Sequence, residues 1–113
     1  MKNDYPVQKT LALLRSEGKI VTSTSHWNSF TNQRKDLFGI FDLLCIDPGN
    51  KMTIGVQVTT KNGRSAHKKK IREAAIFSPW LTCGNQIHLY SWFKNEKSRW
   101  QFLFDSFTLD EGG

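Results

Sequence analysis

Two apolar runs joined by a tight turn constrain this chain more than anything else in it. Residues 36–46 (DLFGIFDLLCI) and 52–60 (MTIGVQVTT) flank Asp47-Pro48-Gly49-Asn50. Proline presets one turn dihedral, glycine and asparagine tolerate left-handed backbone, and an aspartate can hydrogen-bond back onto the turn. Aliphatic, aromatic and β-branched residues dominate both runs, and such residues suit strands. The segment reads as a β-hairpin. With Gly49 and Asn50 at its tip, Asp42 stands opposite Gln57, and directly opposed residues share a face. Thr59 shares that face, two residues further along. The other face carries Phe41, Leu43, Cys45, Ile54, Val56 and Val58, all apolar, so a helix should cover it.

Elements on either side complete a fold. A helix is expected over residues 5–17, with Asp4 as its cap, Pro6 in its first turn and Gly18 as its stop. Val7, Leu11 and Leu14 recur along it at helical spacing. Residues 19–24 read as a strand and 25–34 as a loop, which either stacks on a base or ribose through the region of His26 and Trp27 or covers the core edge with Trp27 and Phe30. A second helix is expected over 65–77, with Ser65 as its cap and Pro79 ending it or starting a short extra turn. Residues 86–93 and 99–104 read as strands around a turn at 94–97. Trp100, Phe102 and Phe104 alternate along the last strand and mark an apolar face, expected in the core. The order is α-β-β-β-α-β-β. It describes one α/β domain, residues 1–113, built on a single mixed sheet with flanking helices.

Charge narrows the function. The chain has 113 residues, 16 lysines and arginines against 10 acids, and a net charge of +6. The excess is local. Lys61, Arg64, Lys68, Lys69, Lys70 and Arg72 fall within residues 61–72 with no acid among them, and the remainder is balanced. A concentrated patch suits a polyanion, nucleic acid above all; a lysine-rich run can also be a solvated helix face. His67 lies inside the run and either touches phosphate or stands by. No apolar run approaches the roughly 18 residues of a membrane helix, and residues 1–10 lack the apolar stretch of a secretory signal. Cys45 and Cys83 have no metal-ligand spacing. Cys45 reads as a small buried hydrophobe, and reduced thiols suit a cytoplasmic setting. Ser-His-Asp sets, Walker loops, GxGxxG and zinc patterns are absent from the sequence.

An acid inside an apolar strand is costly unless paired or bound to metal. Mg²⁺ takes oxygen ligands, and Asp42, the Gln57 side-chain oxygen and a backbone carbonyl near Val58 can supply them. Alternatively, Arg34 or Lys35 satisfies Asp42, and Gln57 is a half-buried amide.

Phe41-Asp42, then Gln57-Val58-Thr59 on a hairpin partner, then a helix, resembles the PD-(D/E)XK nuclease superfamily over about residues 5–93. The compact size and the helix-Gly-strand opening are similar to small Holliday-junction-resolvase-like members. The resemblance implies a restriction-endonuclease-like fold and a metal-dependent endonuclease hydrolysing DNA, with Mg²⁺ or Mn²⁺ as cofactor. It makes Asp42 the principal metal ligand and places Gln57 where the family has its second acid. Thr59 stands at the motif lysine, so a cation would have to come from Lys61, Arg64 or Lys68. Lys61 shares the face if the strand extends that far. The acid that many members carry on the first helix corresponds to Gln8, with Glu17 the only acid in that helix. DNA would lie along Lys61, Arg64, His67, Lys68, Lys69 and Lys70, and a homodimer would pair two sites, one for each strand. The missing lysine and second acid equally suit a catalytically inactive nucleic-acid-binding module on the same fold. A third reading is a protein-binding domain that uses the aromatic hairpin.

Overall fold

A computed structural model describes residues 5–109, apart from the side chains of residues 26–28 and 34. Helix α1 (Tyr5–Ser16) has Pro6 in its first turn, where a missing N–H breaks no helical bond. Asp4, its expected cap, lies outside the described residues. Gly18, at φ +83°, ends the helix in a conformation natural to glycine. Leu11 and Leu14 are buried, and so is Thr10. The Thr10 hydroxyl donates to the Pro6 carbonyl and accepts the Trp92 indole N–H, each at 2.8 Å, which ties the helix to the sheet.

The strands follow as β1 (Ile20–Ser23), β2 (His26–Asn28), β3 (Gln33–Lys35), β4 (Leu43–Asp47), β5 (Met52–Thr60), β6 (Gln86–Lys94) and β7 (Trp100–Ser106). Five of them form one mixed sheet in the order β1-β4-β5-β6-β7. β1, β4 and β5 are antiparallel neighbours, β6 runs parallel to β5, and β7 is antiparallel to β6. A parallel step needs a crossover, supplied here by helices α2 (Arg64–Glu73) and α3 (Phe77–Thr82). The expected α/β architecture, a mixed sheet between helices, is what forms. One apolar layer joins α1 to Leu43, Cys45, Ile54, Val56, Val58, Tyr90 and Trp92. The other joins Ile40, Phe41, Ile71, Phe77, Ile87, Leu89 and Phe107 on the side of α2 and α3.

The hairpin has the expected register, from Leu43↔Val56 to Asp47↔Met52. Its turn closes as the residues dictate. The Asp47 carboxylate accepts the Asn50 side-chain amide at 2.9 Å and the Asn50 backbone N–H at 3.3 Å.

Four expectations need correction. Residues 36–46 do not form one strand. Leu37 and Phe41 exchange backbone hydrogen bonds of 3.0 and 3.1 Å across a turn with Phe38 at φ 53° and Gly39 at φ 80°. This reversal swings Phe41 to the α2 side, where its ring covers Gly55: a Cβ there would lie 2.6 Å from it. The expected loop 25–34 contains the β2–β3 hairpin, a separate two-stranded sheet, and Phe30 is 98 % exposed rather than covering the core. The helix expected over 65–77 begins at Arg64, with Gly63 rather than Ser65 at the cap. It stops where Ala74 turns extended, and Phe77 starts a second helix with Pro79 in its first turn. Finally, Phe102 and Phe104 are 38 % and 47 % exposed, so the aromatic face of β7 is only half in the core.

Candidate functional site

Asp42 sits one residue before β4, where pairing with β5 ends. Its N–H donates to the Val56 carbonyl and its carbonyl accepts the Thr24 N–H. Beyond this point β5 has no β4 residue to pair with, and the Asp42 carboxylate takes over: Oδ2 accepts the Val58 N–H at 2.8 Å. An extended residue turns its N–H and C=O to the same side, so the Val58 carbonyl faces this corner too. Burial pushes the Asp42 pKa up to about 6, against the pull of the Val58 N–H; Asp36 adds to the rise, and Ser25 and Lys70 oppose it.

Asp36 is part of this corner because of the 37–41 turn. A straight strand would put it about 20 Å from Asp42, six residues at roughly 3.3 Å each. Instead the Ser25 hydroxyl donates to Asp36 Oδ1 at 2.5 Å and lies 3.3 Å from Asp42 Oδ1, so two carboxylates converge on one hydroxyl. The sequence reading missed Asp36 and Ser25. The signal was the Phe38-Gly39 step, a turn-former inside an apolar run.

Gln57 lies on the α2 side of the sheet and is 1 % exposed, and its Oε1 has no hydrogen-bond partner. Across the sheet its row continues through Leu89 to Asp105. Helix α2 lies over that row with distinct cations at its two ends. Toward β7, Arg64 grips Asp105 through two bonds of 2.8 Å, and Lys68 lies 3.6 Å from the same carboxylate. Burial opposes ionisation of Asp105, but these cations prevail and hold its pKa below the usual range. Toward β4, Lys70 lines a cleft of about 430 Å³ with Gln33, Lys35, Asp36 and Gly39. A neighbouring cleft of about 490 Å³ shares Gly39 and Lys70 and adds Lys69.

The remaining expected residues scatter. Thr59 shares the Gln57 face, but its hydroxyl fills the space beside Gly63, where a Cβ would lie 2.6 Å from Oγ1. β5 ends at Thr60, and Lys61 starts a 3-10 turn with its ammonium 5.0 Å from the Phe93 ring on β6, across β5 from Asp42. His67 has a buried, unpartnered Nδ1, and burial and then Lys70 depress its pKa, against a pull from Asp36. Gln8 and Glu17 belong to the α1 region, on the other side of the sheet from Gln57. Glu17 pairs with Lys19 at 2.8 Å. Arg72 stacks 5.3 Å from the Phe107 ring. Of the six-cation run, Lys69 and Lys70 line the clefts on the β4 side of α2.

The donors that converge at this corner are oxygens: the Asp36 and Asp42 carboxylates, which share the Ser25 hydroxyl, and the Val58 carbonyl. Among the described residues there is no group of three or more His, Cys, Asp or Glu side chains able to hold a metal ion. An ion here would rely on Gln57, a backbone carbonyl and water to complete its shell. No helix among the described residues is long and apolar enough to cross a membrane. No family model, no curated protein and no solved structure matches the chain.

Proposed function

We propose that the chain is a small metal-dependent endonuclease of restriction-endonuclease-like fold, acting on DNA. The observation that carries this reading is the corner itself: a half-buried Asp42 whose pKa is pushed up to about 6, with Asp36 on the same Ser25 hydroxyl and Lys70 at the rim. The order of elements also supports it, three antiparallel strands followed by a crossover to a parallel fourth. Asp42, Gln57, the Val58 carbonyl and Asp36 are hard oxygen donors suited to Mg²⁺ or Mn²⁺. Such an ion, when bound, polarises the phosphate and favours hydroxide formation from water. Asp42 and Asp36 supply the negative charge, and Gln57 positions a neutral oxygen. Lys70 takes the role open at Thr59, offsetting charge on the phosphoryl oxygens. Lys69 holds the backbone beside it. A homodimer would present two such sites to the two strands.

One observation favours a second reading, a nucleic-acid-binding module without catalysis. Thr59 has no charge and is packed against the 61–63 turn, and the acids number two. Incubation with labelled linear, branched and single-stranded DNA, in Mg²⁺, Mn²⁺ or EDTA, separates the two. The nuclease cuts only with metal, loses cutting in Asp42→Asn, and names its substrate by which DNA is cut. Salt-sensitive binding with no cutting by the wild-type protein would leave the binding module as the account.

A further inference from the structure

A cleft of about 290 Å³ opens past the C-terminal ends of the parallel strands β5 and β6, lined by residues that include Lys61, Trp92, Lys94 and Trp100. That end of parallel strands is where open α/β sheets place their ligands. The floor is fixed, because Trp92 is buried and its indole N–H is held by Thr10. The wall is aromatic: the Tyr5 ring lies 5.4 Å from Trp100. Three ammonium groups surround these rings. Lys9 and Lys94 lie 5.4 and 5.3 Å from the Trp100 indole, and Lys61 lies 5.0 Å from Phe93. None of the three forms an ion pair with a described residue.

We propose that this cleft takes a base of single-stranded nucleic acid, stacked against Trp100, with the flanking phosphates on Lys94, Lys61 and Lys9. Aromatic platforms interleaved with cations bind single strands because every base offers a π-face and every phosphate a charge. In a duplex those faces are already stacked. The volume lies near the lower limit for ligand pockets and suits one base rather than a helix. Charge also argues against a second copy of the chain on this surface. A two-fold contact would set the three unpaired lysines of one copy against the same three of its partner. The cleft lies three residues along β5 from Gln57, about 10 Å at the strand rise. Binding needs no metal, so the inference stands apart from the hydrolytic reading.

The test is fluorescence anisotropy with a dye-labelled thymidine 20-mer and a duplex of equal length, titrated at several salt concentrations in EDTA. The single strand should bind more tightly and quench tryptophan emission. Trp100→Leu should weaken single-strand binding on the order of tenfold. The surface variant Lys9→Gln/Lys94→Gln, which leaves the packing of Trp92 untouched, should lower the slope of log affinity against log salt by about 1.4. Equal affinity for duplex and single strand, or an unchanged slope in the lysine variant, would overturn the proposal. So would dimerisation of the free protein that Trp100→Leu abolishes. Because cleavage plays no part in the readout, an inactive Asp42 corner leaves this result unaffected.

Discussion

Asp42→Asn should make the protein more stable at pH 8 and no more stable at pH 4. The folded protein raises this carboxyl from 3.8 to about 6, chiefly through burial. At 1.36 kcal/mol per unit, the buried anion is disfavoured by about 3 kcal/mol, and relaxation around the site reduces the measured value to about 1–3 kcal/mol. The sign follows from proton counting. Between about pH 4 and 6 the folded state keeps a proton that the unfolded chain has released, so stability falls as pH rises through that window. Above it the penalty is constant. Asparagine removes the charge but keeps an oxygen to accept the Val58 N–H. For a domain of this size each kcal/mol moves Tm by about 3–6 °C, so thermal melts should separate the two proteins by several degrees at pH 8 and converge at pH 4. Added Mg²⁺ or Mn²⁺ should raise the Tm of the wild-type protein and leave the variant unmoved, because an ion that binds only the folded state stabilises it. An asparagine variant that is equally or less stable at pH 8, or a difference that does not vary with pH, would refute the argument that Asp42 is a strained anion.

Lys70→Gln should lower metal-dependent cleavage on the order of 100-fold with a smaller loss of DNA affinity, read from kcat and KM separately. Asp105→Asn frees Arg64 and Lys68 on the α2 surface; duplex binding should then gain about 1.8 in its log–log salt slope. Gly55→Ala drives a Cβ into the Phe41 ring and should cost about 2–3 kcal/mol, visible as a lower urea midpoint at unchanged m-value.

The hairpin register was legible in the sequence because Pro48, Gly49 and Asn50 fix the tip, and alternation then fixes every pair down to Leu43 and Val56; Asp42, expected opposite Gln57, instead donates its N–H to Val56. What alternation could not show was where pairing stops. Phe38 at positive φ is a conformation phenylalanine rarely adopts, and tertiary contacts of this corner accompany the Leu37–Phe41 backbone bonds that close the turn: Phe38 against Trp80 and Phe41 over Gly55. Asp36 therefore reached the site through a turn that Gly39 favours and Phe38 disfavours. The basic run was legible as a run, yet its division was not. Asp105 lies 41 residues from Arg64, and the two meet because β7 follows β6 across the sheet. A lysine count near 65–70 thus overstated the charge available to a phosphate backbone.

The surface beneath α2 bears on whether the corner is a fold device or a site. An amphipathic helix packed on a sheet calls for an apolar floor, and Ile71, Ile87 and Leu89 provide part of one. Among them lie a Gln57 oxygen, a His67 nitrogen and a Ser91 hydroxyl, all buried without partners, with Ser91 set beside Thr59. Buried polar atoms are nearly always paired, so three orphans on one face are a shared cost. Capping the Val58 N–H does not account for them, nor for the acid: serine or asparagine would supply an acceptor without burying a charge. On the proposed reading, a cation with its waters would answer the carboxylate raised to about 6 and the second one on the same hydroxyl.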